Sequence, residues 1–191
     1  MGILLIAGSP SGNSRSAALL HAAGRRLESA GQRIAALPVR ELSADALVRA
    51  DFGHPSIADA AARVAAAHAV VVATPVYKAA YSGVLKVFLD LLPQTALRGK
   101  TVLPIATGGS PHHMLALDYA LRPVLQALGA RHILPGLYAS DAQVVLTPEG
   151  ASRIAPEIGA RLDDAVAALL RETPALAQGA DVAFSQVRCS Y

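Results

Sequence analysis

Three short segments of this 191-residue chain carry the residue types needed to hold a phosphorylated, planar ligand. The first is Gly8-Ser9-Pro10-Ser11-Gly12-Asn13-Ser14-Arg15-Ser16, in which Ser9, Ser14 and Ser16 offer hydroxyl donors and a helix is expected to open near Ser14. The first N–H groups of a helix have no internal partners, so an anion placed there gains their bonds and a dipole term of about 0.3–1 kcal/mol. Arg15 puts a cation at the wrong end of that helix for helix stability, which suggests a ligand anion as its counter-charge. The segment has neither the Gly-Lys pair of a Walker loop nor the dinucleotide glycine pattern, and a plain serine-capped turn is the bland alternative.

The second segment, Thr74-Pro75-Val76-Tyr77-Lys78-Ala79-Ala80-Tyr81-Ser82-Gly83, combines a stiff proline, two tyrosines and small alanines. Such a stretch makes a flat, mostly apolar wall for a planar ring, or equally a loop whose tyrosines pack on the core. The third is Thr107-Gly108-Gly109-Ser110, where paired glycines let backbone N–H groups approach a ligand closely. Donors so placed stabilise negative charge on a reacting ring; a flexible turn is the competing reading.

The elements that must position these segments are written in the hydrophobic pattern. Apolar runs at residues 3–7, 69–73 and 101–106, with weaker ones at 33–37 and 132–138, read as strands buried on both faces. Between them lie helical stretches. One after Asn13-Ser14 carries Leu20, Ala23 and Leu27 on one face and His21, Arg25 and Glu28 on the other. Others are expected at 56–67, 84–92 and 115–128, and a last one from Pro156 that buries Ile158, Leu162, Val166 and Leu169. Five βα units in series predict an α/β, flavodoxin-like three-layer sandwich: a five-stranded parallel sheet of order 2-1-3-4-5 with helices on both faces. In that topology ligands bind beyond the carboxyl ends of strands 1, 3 and 4, where the three segments fall. One domain is expected over residues 1–172, with 173–191 as a tail.

Other chemistries find little support. Adjacent His112 and His113 are badly spaced for one metal and read as exposed loop residues; no metal site is expected. Asp163 and Asp164 diverge on a helix, as a solvated face would. Cys189 is the single cysteine and reads as an inert thiol. No nucleophile elbow occurs, and no acid–base pair, which suits hydride transfer directly between cofactors with no catalytic side chain. The net charge of +3 carries no basic block, which argues against nucleic acid. No apolar run spans a bilayer and the N-terminus lacks a charged leader or acylation signal, so a cytoplasmic protein is expected.

The same residues carry a family resemblance. Ala7-Gly8-Ser9-Pro10 with Ser14-Arg15-Ser16, the run from Ala73 to Gly83, Leu85-Lys86 with Leu89-Asp90-Leu91-Leu92-Pro93, Leu103-Pro104 with Ala106-Thr107-Gly108-Gly109, and Asp118-Tyr119-Ala120-Leu121 with Pro123-Val124-Leu125 are similar to the NADPH-dependent FMN reductases of flavodoxin fold. Among these the chain most resembles the reductase component of two-component alkanesulfonate monooxygenase systems, over residues 3–170. The resemblance implies that Ser9, Arg15 and Ser16 hold the FMN phosphate. It also implies that Pro75, Val76, Tyr77 and Lys78 line the isoalloxazine, and that Thr107, Gly108 and Gly109 meet its pyrimidine side. NADPH, or NADH, would reduce FMN, and reduced FMN would pass to a flavin-dependent monooxygenase.

The resemblance also implies a homodimer or homotetramer. The helix expected at 84–92 is apolar nearly all round except at Lys86 and Asp90, and with Tyr81 it would lie beside both flavin and partner. Tyr119 resembles an extra residue that bulges the interface helix in π fashion, near the internal Pro123. Ser11 stands where several relatives carry arginine, which implies a different hold on the phosphate. The rival readings are a quinone or azo reductase that retains FMN, and a flavodoxin-type electron carrier, which the positive charge argues against.

Overall fold

Apolar β-branched runs with no polar face can only be satisfied between two helical layers, and that is where they lie. The computed structural model describes residues 2–147, 151–173 and 176. Strands β1 (Ile3–Ala7), β2 (Ile34–Pro38), β3 (Ala69–Tyr77), β4 (Ala80–Tyr81), β5 (Thr101–Gly108), β6 (His132–Ile133) and β7 (Leu137–Ser140) build one sheet. Its order is β2-β1-β3-β5, with β6 and β7 following each other along the outer edge of β5, all parallel. This is the expected 2-1-3-4-5 order with the fifth strand in two pieces. β4 turns back antiparallel on β3.

Pro104 explains the split. Val102 and Gly108 accept from Leu134 N–H and Asp141 N–H at 2.9 and 3.1 Å, so the even-numbered backbone of β5 faces the fifth strand. There Pro104 has no N–H to offer, and the ladder lapses between Ile133 and Leu137. Arg122 donates to Leu134 O, which faces β5 and is left without that N–H, at 3.3 Å, and to Ile133 O at 3.2 Å.

Side chains alternate between the sheet's faces, so one strand feeds two cores. Ile3 and Leu5 pack under α1 (Arg15–Ser29) and α6 (Pro156–Arg171), whose Leu19, Leu27, Ile158 and Leu162 are wholly buried. Leu4 and Ile6 face α3 (Pro55–Ala66) and α4 (Gly83–Asp90) through Ile57, Val64, Leu85 and Phe88. A short α2 (Ala44–Arg49) and an antiparallel hairpin of β8 (Val144–Leu146) and β9 (Ser152–Ile154) had no clear periodicity in the sequence.

The helix expected at 115–128 is not continuous. It starts as a 3-10 turn at Pro111–Leu115, widens into a π turn at Leu117–Leu121, and becomes α5 only at Arg122–Ala127. Arg122 N–H reaches back five residues to Leu117 O, and Pro123 follows without a donor of its own. The π turn at Tyr119 thus agrees with the expectation drawn from the resemblance. Among the described residues no helix is long and apolar enough to cross a membrane. The expected tail at 173–191 lies outside the described residues except for Thr173 and Leu176.

Candidate functional site

The sheet register brings the three segments to one rim. Ala7 pairs with Ala73, Pro75 with Thr107, and Gly108 with Ser140, so β1, β3, β5 and β7 end side by side. The first segment closes on itself. Ser9, almost fully buried, accepts from Ser11 N–H at 3.1 Å. Ser14 caps α1 by accepting from Ala17 N–H at 3.2 Å, and its hydroxyl lies 3.3 Å from that of buried Ser16.

Arg15 corrects one expectation. Its charge is already answered within the chain: Nε donates to Val144 O at 3.0 Å, and Nη1 lies 3.5 Å from Asp141 Oδ2. The β8–β9 hairpin and the loop after β7 supply those partners, so no ligand anion is needed to account for the cation.

The second segment is more strand than loop. β3 runs through Thr74, Pro75 and Val76 to Tyr77 before reversing into β4. The odd-numbered backbone of β3 faces β1, shown by Gly8 N–H donating to Ala73 O at 2.7 Å. Pro75 therefore points past the end of β1, where a missing N–H costs nothing. The reversal at Lys78-Ala79 has φ of +49° and +64°, as a two-residue I′ hairpin demands, yet neither residue is glycine or asparagine. Non-glycine residues in this region cost roughly 1–2 kcal/mol each. Pro75 and Val76 are buried beneath, while Tyr77 is 51% exposed on top.

Buried hydrogen bonds lock this segment to the first. Thr74 Oγ1 accepts from Ser82 N–H at 3.0 Å; Ser82 Oγ donates to Gly8 O and accepts from Leu85 N–H at 3.3 Å, capping α4. A Cβ on Gly8 would lie 2.9 Å from Leu85 Cβ, so only glycine fits where α4 crosses the end of β1. On α4, Lys86 bonds both carboxylate oxygens of Asp90, which raises its pKa. Burial pushes the neighbouring Tyr81 hydroxyl upward too, Lys86 opposing and Asp90 reinforcing.

The third segment rests against β7 and the 3-10 turn. Tyr138 donates to Ser110 O, and its pKa is raised by burial and then by Asp141. A Cβ on Gly108 would stand 2.8 Å from the Tyr138 hydroxyl, 3.2 Å from Val76 Cβ and 3.6 Å from His113 Nδ1. His113 is a second correction: only His112 is an exposed loop residue. His113 is half-buried, and its fully covered Nδ1 has no hydrogen-bond partner among the described residues. Gly109 remains exposed, 3.8 Å from Asp141 Oδ2 if a Cβ is added. Beyond this segment Met114, Leu115 and Tyr119 stand 55, 54 and 80% exposed.

Buried serines, an apolar shelf and a glycine turn thus share one rim at the sheet's switch point, and comparison with known proteins gives the family. The family model for NADPH-dependent FMN reductases matches residues 1–145. An FMN reductase (NADPH) of Pseudomonas putida is 49% identical over 142 residues, covering 74% of this chain and 72% of that protein. The corresponding Escherichia coli enzyme is 43% identical over 166 residues, 87% and 86% of the two chains. The chain belongs to the NADPH-dependent FMN reductase family. Among solved structures, the apo form of an NADH:FMN oxidoreductase superposes with a TM-score of 0.81 at 38% identity, covering 90% of this chain and 89% of that one.

By that membership this FMN reductase is an NAD(P)H:FMN oxidoreductase, with FMN and a reduced nicotinamide nucleotide as its cofactors. The rim fits FMN on its own terms. Gly8 and Gly108 let α4, Val76 and Tyr138 close tightly around the strand ends, and His113 Nδ1 at the third segment is a covered polar atom without a partner among the described residues. Sequence reasoning missed Tyr138, Asp141 and His113. The signal for them was position: His113 and Asp141 lie just beyond β5 and β7, and Tyr138 lies within β7.

Proposed function

We propose that this FMN reductase holds FMN across the carboxyl rim and supplies it in reduced form to a flavin-dependent monooxygenase, of the alkanesulfonate-oxidising kind. FMN, when bound, supplies the ring that accepts hydride from NADPH or NADH. The chain's own work is to bind, orient and shield. Ser9, Ser14 and Ser16, with Arg15 behind them, would hold the phosphate, and Pro75, Val76, Tyr77 and Lys78 would form the shelf under the ring. The backbone at Thr107, Gly108 and Gly109 would face the pyrimidine edge, where preorganised N–H donors favour the charge that builds up on reduction. No side chain is assigned a covalent or proton-transfer role.

The observation that carries this reading is the convergence of the three segments on one open shelf, with Tyr77 half exposed above buried Pro75 and Val76. An open shelf suits a flavin that must arrive and leave. Tyr81, Lys86, Asp90 and Tyr119, with the exposed Met114 and Leu115, would meet a second copy of the chain in a homodimer or homotetramer. Residues 1–172 would form the flavin-binding domain, with 173–191 appended as a tail. NADPH and NADH oxidation by purified protein in excess FMN tests the proposal. Turnover is expected with free FMN and rises further when a monooxygenase consumes the product. Strong turnover of quinones or azo dyes with none of added FMN would replace it with a reductase that retains its flavin.

A further inference from the structure

The phosphate end of the rim is short of free positive charge. A phosphate monoester carries about −1.5 to −2 at pH 7, but Ser9, Ser14 and Ser16 are neutral and Arg15, the one cation of the first segment, is shared with Val144 O at 3.0 Å and Asp141 at 3.5 Å. Ser11 adds no charge. Arg40, outside every segment singled out from the sequence, reaches the opposite wall of this loop. It stands in a 3-10 turn at Val39–Glu41, directly after β2, the strand beside β1.

Its guanidinium rests on the backbone of Gly12, where an added Cβ would lie 2.5 Å from Nη1. A narrow cavity of about 70 Å³ beneath it has Ser9, Ser11, Gly12, His21 and Arg40 in its lining, the larger part of which is apolar. The current partner of Arg40 is its chain neighbour Glu41, at 2.9 Å, with 60% of the glutamate side chain exposed. Exposed ion pairs of this kind are worth little and are readily exchanged for a better anion. Arg25 also borders Gly12–Ser14, in a larger cleft along α1. It lies eleven residues past Ser14, roughly 16 Å along the helix, too far for the same ligand atom.

We propose that Arg40 binds the terminal phosphate of FMN, its guanidinium turning from Glu41 onto the anion cradled by the first segment. The inference rests on the reading that this segment holds the FMN phosphate. It gives a role to Gly12, since any side chain there would displace the guanidinium.

Titration of flavin-free protein with FMN and with riboflavin, which lacks the phosphate, tests it by quenching of flavin fluorescence. Arg40→Ala is expected to weaken FMN binding by about tenfold, the effect of one charge-assisted hydrogen bond, and to leave riboflavin affinity within about twofold. Arg40→Lys keeps the charge but not the fork, and falls between. Gly12→Ala, which crowds the guanidinium without removing it, weakens FMN selectively as well. Arg25→Ala matches Arg40→Ala in net charge and binds FMN as the wild type does. If the wild type binds riboflavin as tightly as FMN, the phosphate reading of the loop fails. If it prefers FMN and Arg40→Ala keeps that preference undiminished, or loses riboflavin equally, the role of Arg40 alone is overturned.

Discussion

The two ends of the rim are built on different length scales. At the end proposed for the phosphate the hydrogen bonds within the loop join residues two or three apart, such as Ser9 with Ser11 and Ser14 with Ala17, while among the described residues Arg15 alone of this loop's side chains reaches across to Val144 O. At the end proposed for the ring, and where that end is locked to Gly8, they join distant parts of the chain: Ser82 with Gly8, Tyr138 with Ser110, Asp141 with Gly108. A local loop tolerates change because each bond fixes only a few residues. A non-local lock fails as a unit, since each bond also sets where two elements cross.

Glycine substitutions give the sharpest contrast. Gly8→Ala places a Cβ against Leu85 and the Ala73 carbonyl and is expected to cost about 3 kcal/mol in a denaturant melt, at the upper end for overpacking. Gly12→Ala meets only the mobile end of Arg40, so a loss under about 1 kcal/mol is expected. Equal losses would dissolve the distinction between the two ends.

Serine caps make the same comparison at smaller scale. Ser82→Ala leaves Gly8 O and Leu85 N–H unpartnered in the interior, for about 2 kcal/mol. Ser14→Ala loses a half-exposed cap, for about 1 kcal/mol. Urea midpoints of the two variants, measured side by side, decide whether the ring end is the stiffer.

Alkaline pH probes the ring end without deforming it. Tyr138 in the folded chain ionises above the value of about 10 at which the unfolded chain does, because of burial and then Asp141. The stability its proton secures is therefore complete below pH 10 and lost as pH climbs through the raised value. Tyr138→Phe, less stable by about 1 kcal/mol at neutral pH, should close that gap above pH 10. A gap that stays constant would show that ionisation there is not linked to folding.

At the hairpin tip, Lys78-Ala79→Asn-Gly relieves the positive-φ residues and should raise stability by about 1 kcal/mol. If FMN affinity falls at the same time, the strained turn serves the ring. Smallest of all, Tyr119→Ala should leave stability within about 0.5 kcal/mol, since the side chain is 80% exposed. Its effect belongs in the elution volume on size exclusion, and an unchanged oligomer would remove Tyr119 from the interface.

Much of this contrast could be read in the sequence, and unevenly so. The face of α1 bearing Leu20, Ala23 and Leu27, the face of α6 bearing Ile158, Leu162, Val166 and Leu169, and the Ser14 and Ser82 caps follow from spacing alone. β3, however, reads as ending at Ala73, because a proline ordinarily stops a strand. It continues to Tyr77 only since β1 has already ended beside it. Arg15 looked like a cation awaiting a ligand because nothing local answers it, whereas Asp141 answers it from 126 residues away.

The sequence by itself determined the parallel sheet, its strand order, the two buried faces and the serine-capped loop. The strands, their buried faces and the serine cap are set by patterns that act within a turn or two of the chain, and the order follows from the number of βα units in series. Only the tertiary structure decided that Arg15 pairs with Asp141, that Arg40 lies on Gly12, and that His113 turns a covered nitrogen toward Gly108. Such meetings depend on where neighbouring strands stop. Strand length is settled by the partner's register, which no local pattern encodes.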